Sequence, residues 1–327
     1  MASSCTKEND NTEVAKLDIM EIPVGFPSIV HPQGNEYSQE RWDLGKKLFY
    51  DPILSRDGMV SCASCHDPAL SFADNQVVSL GSDGLLGTRN APSLANVAYH
   101  PYYTREGGIP TLEMQILVPI QEHNEFNNNI VVIADTLSKN SEYVQMAQLA
   151  YNQEPNAFVI TRALSQFERS LISGQSAYDL EMNYELEGSM SESAIRGMRL
   201  FESERTNCST CHSGFNFTNY SFENNGLYDD YPDNGRERLT QAPSDRARFK
   251  VPSLRNVALT SPYMHDGSMA SLSEVIEHYN TGGKVHQNKS ELIKPLNLSP
   301  EEKSDLLAFL DALTDHKFVN NKNLDNE

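Results

Sequence analysis

The sequence predicts a mainly α protein made of two related halves. Three observations carry this. A CxxCH motif occurs twice, a longer segment recurs at an offset of 160 residues, and apolar residues follow helical spacing with few strand signals. A length of 327 residues leaves room for about two domains.

The elements follow in chain order. Residues 39–49 and 192–202 read as helices that each lead toward a CxxCH motif. Residues 130–150 and 158–172 carry helical apolar spacing. Ser299-Pro300-Glu301-Glu302 opens a last helix running to about residue 314, with Pro300 in its first turn. Long loops follow both CxxCH motifs. The repeat itself is explicit. Pro92-Ser93-Leu94-Ala95-Asn96-Val97-Ala98 returns as Pro252-Ser253-Leu254-Arg255-Asn256-Val257-Ala258, and it persists through Tyr103 and Tyr263, Gly107 and Gly267, and Leu112 and Leu272. Upstream, Gly45-Lys46-Lys47-Leu48-Phe49 is echoed by Gly197-Met198-Arg199-Leu200-Phe201. The boundary is expected near residues 174–193. The resulting organisation is a flexible tether at 1–24, a first domain at 25–185, a second at 186–317 and a tail at 318–327.

Composition narrows the function. Hydrophobic residues are 39%, with 13 Phe and 14 Tyr, enough for packed cores. No run approaches the roughly 18 apolar residues of a membrane helix. The net charge is −19, from 45 acidic and 26 basic residues, which argues against a nucleic-acid partner because phosphate binding is driven by Lys and Arg.

Four of the five cysteines form Cys62-Ala63-Ser64-Cys65-His66 and Cys208-Ser209-Thr210-Cys211-His212. CxxCH is the attachment signature of c-type haem. Two thiols at this spacing bond to the two vinyl groups of one haem, and the following His is carried beneath the ring to bind iron. A zinc site built from two CxxC pairs would not explain a His after each. A thioredoxin-like pair would need a βαβ context that is missing. Two covalently bound haems are therefore expected, with His66 and His212 as iron ligands, and such attachment implies an exported, periplasmic location. Cys5, before the polar stretch Thr6 to Glu13, resembles the acylated cysteine of a bacterial lipoprotein; the alternative is an unused thiol.

The occupant of each iron's other axial position separates electron transfer from chemistry. Ser271 and Glu274 start a helix whose Leu272, Val275, Ile276 and Tyr279 share one face, so Tyr279 is expected to point inward toward the second haem. Met264, Met269, His265 and His278 are the competing ligands there. The residue matching Tyr279 in the first half is Pro119, which cannot ligate. The first iron is thus expected to stay open. Thr111 caps a helix that Pro119 is expected to end, Gln115 lies on the face of Leu112, and Glu125 follows. Glu125 suits proton transfer between peroxide oxygens, and Gln115 suits their orientation.

These residues resemble the bacterial di-haem cytochrome c peroxidase superfamily from about residue 35 to 315. The resemblance is carried by the two CxxCH motifs, Arg89-Asn90-Ala91-Pro92, Leu112-Glu113-x-Gln115, Pro119 with Glu125, and Pro262-Tyr263-Met264-His265-Asp266-Gly267. Within it, Tyr279 and Pro119 are similar to the methylamine-utilisation (MauG-type) branch. The resemblance implies a peroxidatic first haem, an electron-transfer second haem, and an inter-haem Ca²⁺ bound by Asn90, Thr260 and Pro262. It also implies an open first haem without reductive activation, since residues 67–99 contain no His. Two departures stand out. Arg105 replaces the family's inter-haem Trp, and Thr206 replaces a surface Trp before the second CxxCH.

Two functions follow. One is a hydrogen-peroxide-dependent oxidoreductase, drawing electrons from a small cytochrome or cupredoxin, or from a Trp or Tyr of a partner protein. The other is a di-haem electron carrier without peroxide chemistry.

Overall fold

The computed structural model describes residues 20–326. Cys5 and most of the expected tether lie outside them. The chain is helical, with α1 (Gln39–Tyr50), α2 (Leu112–Gln115), α3 (Leu117–Gln121), α4 (Ile130–Ser138), α5 (Ser141–Tyr151), α6 (Ala157–Arg169) and α7 (Ala177–Met182). These are followed by α8 (Glu192–Phe201), α9 (Cys208–Cys211), α10 (Glu237–Thr240), α11 (Leu272–Thr281), α12 (Pro300–Asp311) and α13 (His316–Val319). Two-residue strands β1 (Phe222–Glu223) and β2 (Phe249–Lys250) pair antiparallel. No helix of the described residues is long and apolar enough to cross a membrane.

Two helix crossings organise the chain. α1 packs on α6, and α8 packs on α12. Each crossing depends on a glycine. A Cβ at Gly45 would overlap the Ala163 carbonyl, and a Cβ at Gly197 would overlap the Asp305 carbonyl. Around the first crossing lies a core holding Leu48, Phe49, Phe72, Ile160 and Phe167. Around the second lies a core holding Met198, Phe201, Phe217, Leu306 and Phe309. Gly197→Ala is expected to lower stability by about 1–3 kcal/mol through overpacking, read as a fall in the thermal midpoint.

The backbone repeats at the offset seen in the sequence. Short 3₁₀ turns cover Val97–Tyr99 and Val257–Leu259, each entered by a left-handed Asn, Asn96 or Asn256. Isolated bridges join Tyr103 to Ile109 and Tyr263 to Met269. Thr111 and Ser271 cap α2 and α11 in the same extended conformation. The halves meet at Ser173. Its carbonyl accepts from Asn96 Nδ2 at 2.8 Å, its hydroxyl accepts from Asn256 Nδ2 at 3.0 Å, and that hydroxyl donates to Asp315 at 3.2 Å.

Several expectations need correction. The helix expected at 130–150 is two helices, α4 and α5, and the last long helix stops at Asp311. Pro119 does not end the helix begun at Leu112; it lies inside α3. The break comes at Ile116, because Pro119 has no N–H to give the Gln115 carbonyl and its ring crowds that carbonyl. Glu274 reaches the N–H of Ala270 at 2.9 Å rather than that of the capping Ser271. Tyr178 packs on Phe217 and Asp179 pairs with Arg255, tying α7 to the second core. Residues 318–326 are not a free tail. Phe318 and Leu324 are buried in the first core, and Lys46 Nζ donates to the Asn323 carbonyl at 2.9 Å.

Candidate haem sites

Each CxxCH sits just beyond a core-forming helix, with its cysteines and His partly buried. In the first, His66 Nδ1 lies 2.8 Å from the Phe72 carbonyl. In the second, His212 Nδ1 lies 3.1 Å from the Phe217 carbonyl. A carbonyl only accepts, so Nδ1 carries the proton in both rings and Nε2 keeps its lone pair for a metal. Burial pulls both imidazoles down toward the neutral, ligating form. The carbonyls are aimed by residues in left-handed backbone, Phe72 at φ 58° and Phe217 at φ 49°. Burial also raises all four thiols.

A cavity of ≈ 450 Å³ is lined by Cys208, Cys211 and His212, within the roughly 300–1,000 Å³ usual for cofactor sites. Leu272, Val275, Ile276 and Tyr279 all line it, so the predicted face of α11 is turned into it. Burial pushes the Tyr279 phenol up to about 12, and a hydrogen bond with Asn225 opposes the shift. The competing ligands have protein partners, although Met264 and His265 also line the cavity. His278 Nε2 donates to the Asn225 carbonyl at 2.9 Å, and Met264 Sδ accepts from Asn225 Nδ2 at 3.3 Å. His265 stacks on Phe249 with ring centres 4.2 Å apart, and Met269 packs against the small core of Leu227, Tyr231 and Ala247. The sequence offered no warning of Asn225, since Asn224-Asn225-Gly226 reads only as a turn.

The same cavity reaches Asn90, Arg105 and Gln115 of the first half. Gln115 Oε1 is buried there without a hydrogen-bond partner. Glu125 is exposed on one side, yet protein closes around it enough for desolvation to push its carboxyl up to about 7, and Glu122 adds to the shift. Glu125 also helps to raise the Cys62 and Cys65 thiols, which locates it beside the first motif. Pro119 lies on α3, and its carbonyl accepts from the Phe126 N–H at 3.1 Å. Paired thiols and an imidazole with Nε2 free fit c-type haem at each motif; Gln115 lines the cavity of the second motif, and that cavity's lining does not include Cys62, Cys65, His66, Pro119 or Glu125.

The arrangement does not fit Ca²⁺ in the same way. Asn90, Thr260 and Pro262 do line one cavity. However, Arg105 Nη2 donates to the Asn90 carbonyl at 2.7 Å and lies 3.3 Å from Asn90 Oδ1, taking both oxygens a cation would use. Of the two Trp departures, Thr206 is buried and donates to the Leu200 carbonyl at 2.6 Å. The single Trp of the chain, Trp42, is buried in the first core and donates to Ser170 at 2.7 Å.

Comparison with known proteins agrees with this chemistry. Residues 39–186 match the family described as di-haem cytochrome c peroxidase. The methylamine utilization protein MauG of Methylorubrum extorquens is 36% identical over 290 residues, covering 88% of this chain and 81% of its own. The cytochrome c551 peroxidase of Nitrosomonas europaea is 30% identical over 277 residues, covering 83% of this chain and 79% of its own. Among solved structures, a MauG-like protein associated with microbial copper homeostasis superposes with a TM-score of 0.89 at 33% identity, over 93% of this chain and 98% of that one.

Proposed function

The chain belongs to the di-haem cytochrome c peroxidase family, and from that premise we propose that it reacts with hydrogen peroxide at the first CxxCH site and holds or delivers oxidising equivalents at the second. It is a peroxidase-class oxidoreductase with two c-type haems. Bound haem supplies the redox-active iron. The chain's own residues do the rest. His66 and His212 would hold the iron through Nε2, since Nδ1 of each ring is engaged by a backbone carbonyl. Tyr279 would close the second site, whereas Pro119 offers no side-chain atom that could ligate at the first. Glu125 takes the proton from one peroxide oxygen and returns it to the other, and Gln115 Oε1 accepts a hydrogen bond from the bound peroxide.

The single observation carrying this reading is the asymmetry between the halves. Tyr279 faces the cavity from α11, while the matching stretch of the first half is broken at Ile116 and carries Pro119. The two haem domains are read as products of an internal duplication, supported by the 160-residue repeat of turns, bridges and caps. The boundary between the domains is read near residue 174, ahead of the sequence expectation of 185, supported by the packing of Tyr178 on Phe217 and the Asp179–Arg255 pair.

The partner is read as a protein oxidised at Trp or Tyr, supported by Tyr279 and by the likeness to MauG and the MauG-like structure. One observation favours a second use, with a small cytochrome or cupredoxin as electron donor. Thr206 is buried, so no side chain there reaches toward a docked protein substrate. Peroxide consumption with reduced cytochrome c, compared with oxidation of a protein substrate, separates the two. A periplasmic location follows from the haem attachment chemistry, with Cys5 as the site of a lipid anchor.

The test is electron paramagnetic resonance of the ferric holoprotein. One high-spin and one low-spin signal are expected, and Tyr279→Phe should alter only the low-spin signal. Two low-spin signals in the unaltered protein would return the chain to a plain electron carrier. An unchanged low-spin signal in the variant would remove Tyr279 as a ligand.

A further inference from the structure

We propose that the guanidinium of Arg105 occupies the cation position between the two haem sites, so that this protein works without Ca²⁺. The inference rests on the di-haem reading only for the position of the haems. Asn90 is the pivot. Its N–H donates to the His265 carbonyl at 3.0 Å, and its Nδ2 donates to the Gln76 carbonyl at 3.1 Å. Its carbonyl and Oδ1 both face Arg105 Nη2, at 2.7 and 3.3 Å. Every polar group of Asn90 is therefore satisfied by protein, with the two oxygens given to a fixed positive charge.

Arginine suits this replacement. Its Nη2 alone meets both oxygens, and a guanidinium keeps its proton in a protein. The surroundings oppose a second cation. Arg89 holds the nearby carboxylates, Glu106 at 2.6 Å and Asp233 at 2.7 Å, so they are not free to ligate a metal. Lys250 stands on the other side, its Nζ donating to the Tyr102 carbonyl at 2.9 Å while its N–H donates to the Arg105 carbonyl at 2.6 Å. A divalent ion at Asn90 would meet the Arg105 guanidinium, which already sits at hydrogen-bonding distance from both Asn90 oxygens. The sequence repeat underlines the point, because the residue 160 positions on from Arg105 is His265, whose carbonyl binds Asn90 from the opposite half.

The test uses the holoprotein with both haems attached. After dialysis, elemental analysis should find no stoichiometric calcium, calorimetric titration with CaCl₂ should give no binding heat, and a chelator should leave both ferric resonance signals unchanged. Arg105→Ala frees the Asn90 oxygens and should gain one Ca²⁺ per chain in the same titration. Arg105→Lys keeps the charge and should remain calcium-free. One calcium per chain in the unaltered protein, or no calcium binding by a folded Arg105→Ala variant, would overturn the proposal. If Arg105→Ala fails to fold, the unaltered protein and Arg105→Lys decide. Peroxide kinetics are not used, so failure here leaves the peroxidase reading standing.

Discussion

Glu125→Gln should slow the reaction with hydrogen peroxide by about 10²–10⁴-fold, the usual worth of a positioned proton-transfer group, while both haems stay attached. Glutamine keeps the size of the side chain but cannot take a proton. The carboxyl of Glu125 is pushed up to about 7 by burial, with Glu122 adding. The direction of the pH effect follows. The group must be ionised to accept a proton from peroxide, so the second-order rate should rise with pH and level off above about 7. The variant should lose this step and give a flat profile across the same range. Stopped-flow mixing of ferric holoprotein with peroxide, from pH 5.5 to 8.5, reads both effects. A variant that keeps the rate and the step would remove Glu125 from the chemistry.

The second large effect is structural and reaches the haem site through one loop. Asp179→Ala should cost about 3–5 kcal/mol, because it leaves a buried charge without its partner. Arg255 and Asp179 form an ion pair with both side chains almost fully buried. Arg255 Nε also donates to the Phe215 carbonyl at 2.9 Å, and the guanidinium lies 5.3 Å from the Phe217 ring centre. The carbonyl of Phe217 in turn orients His212. Loss of Asp179 should therefore loosen the second haem site as well as lower the midpoint of urea unfolding. Replacing both partners by apolar residues, Asp179→Leu with Arg255→Met, should recover most of the loss. Recovery no greater than in the single variant would show that the pair contributes more than charge balance. The first half has no such pair at the matching position, where Ala95 stands in place of Arg255.

What the sequence determined by itself is the covalent chemistry. Two thiols and an imidazole within five residues match the attachment pattern of one c-type haem, so Cys62, Cys65, His66, Cys208, Cys211 and His212 were legible as candidates from spacing alone. The duplication was legible for a similar reason, since the repeated segments are continuous in sequence. The inward face of α11 followed from helical periodicity. Tertiary structure decided the rest, because the deciding groups are backbone carbonyls or side chains far apart in the chain. No residue type announces that the Phe72 and Phe217 carbonyls will fix the two imidazoles. Pro119 looked like a stop, yet the helix broke at Ile116, three residues earlier, where the carbonyl of Gln115 loses its donor. Phe318 and Leu324 read as a tail until a core some 270 residues upstream buried them. Asn90 was expected to bind Ca²⁺ through resemblance alone, and only its three-dimensional neighbours showed both oxygens already facing Arg105. Local covalent spacing survives without a fold; who occupies a hydrogen-bonding atom is settled only when distant segments are packed together.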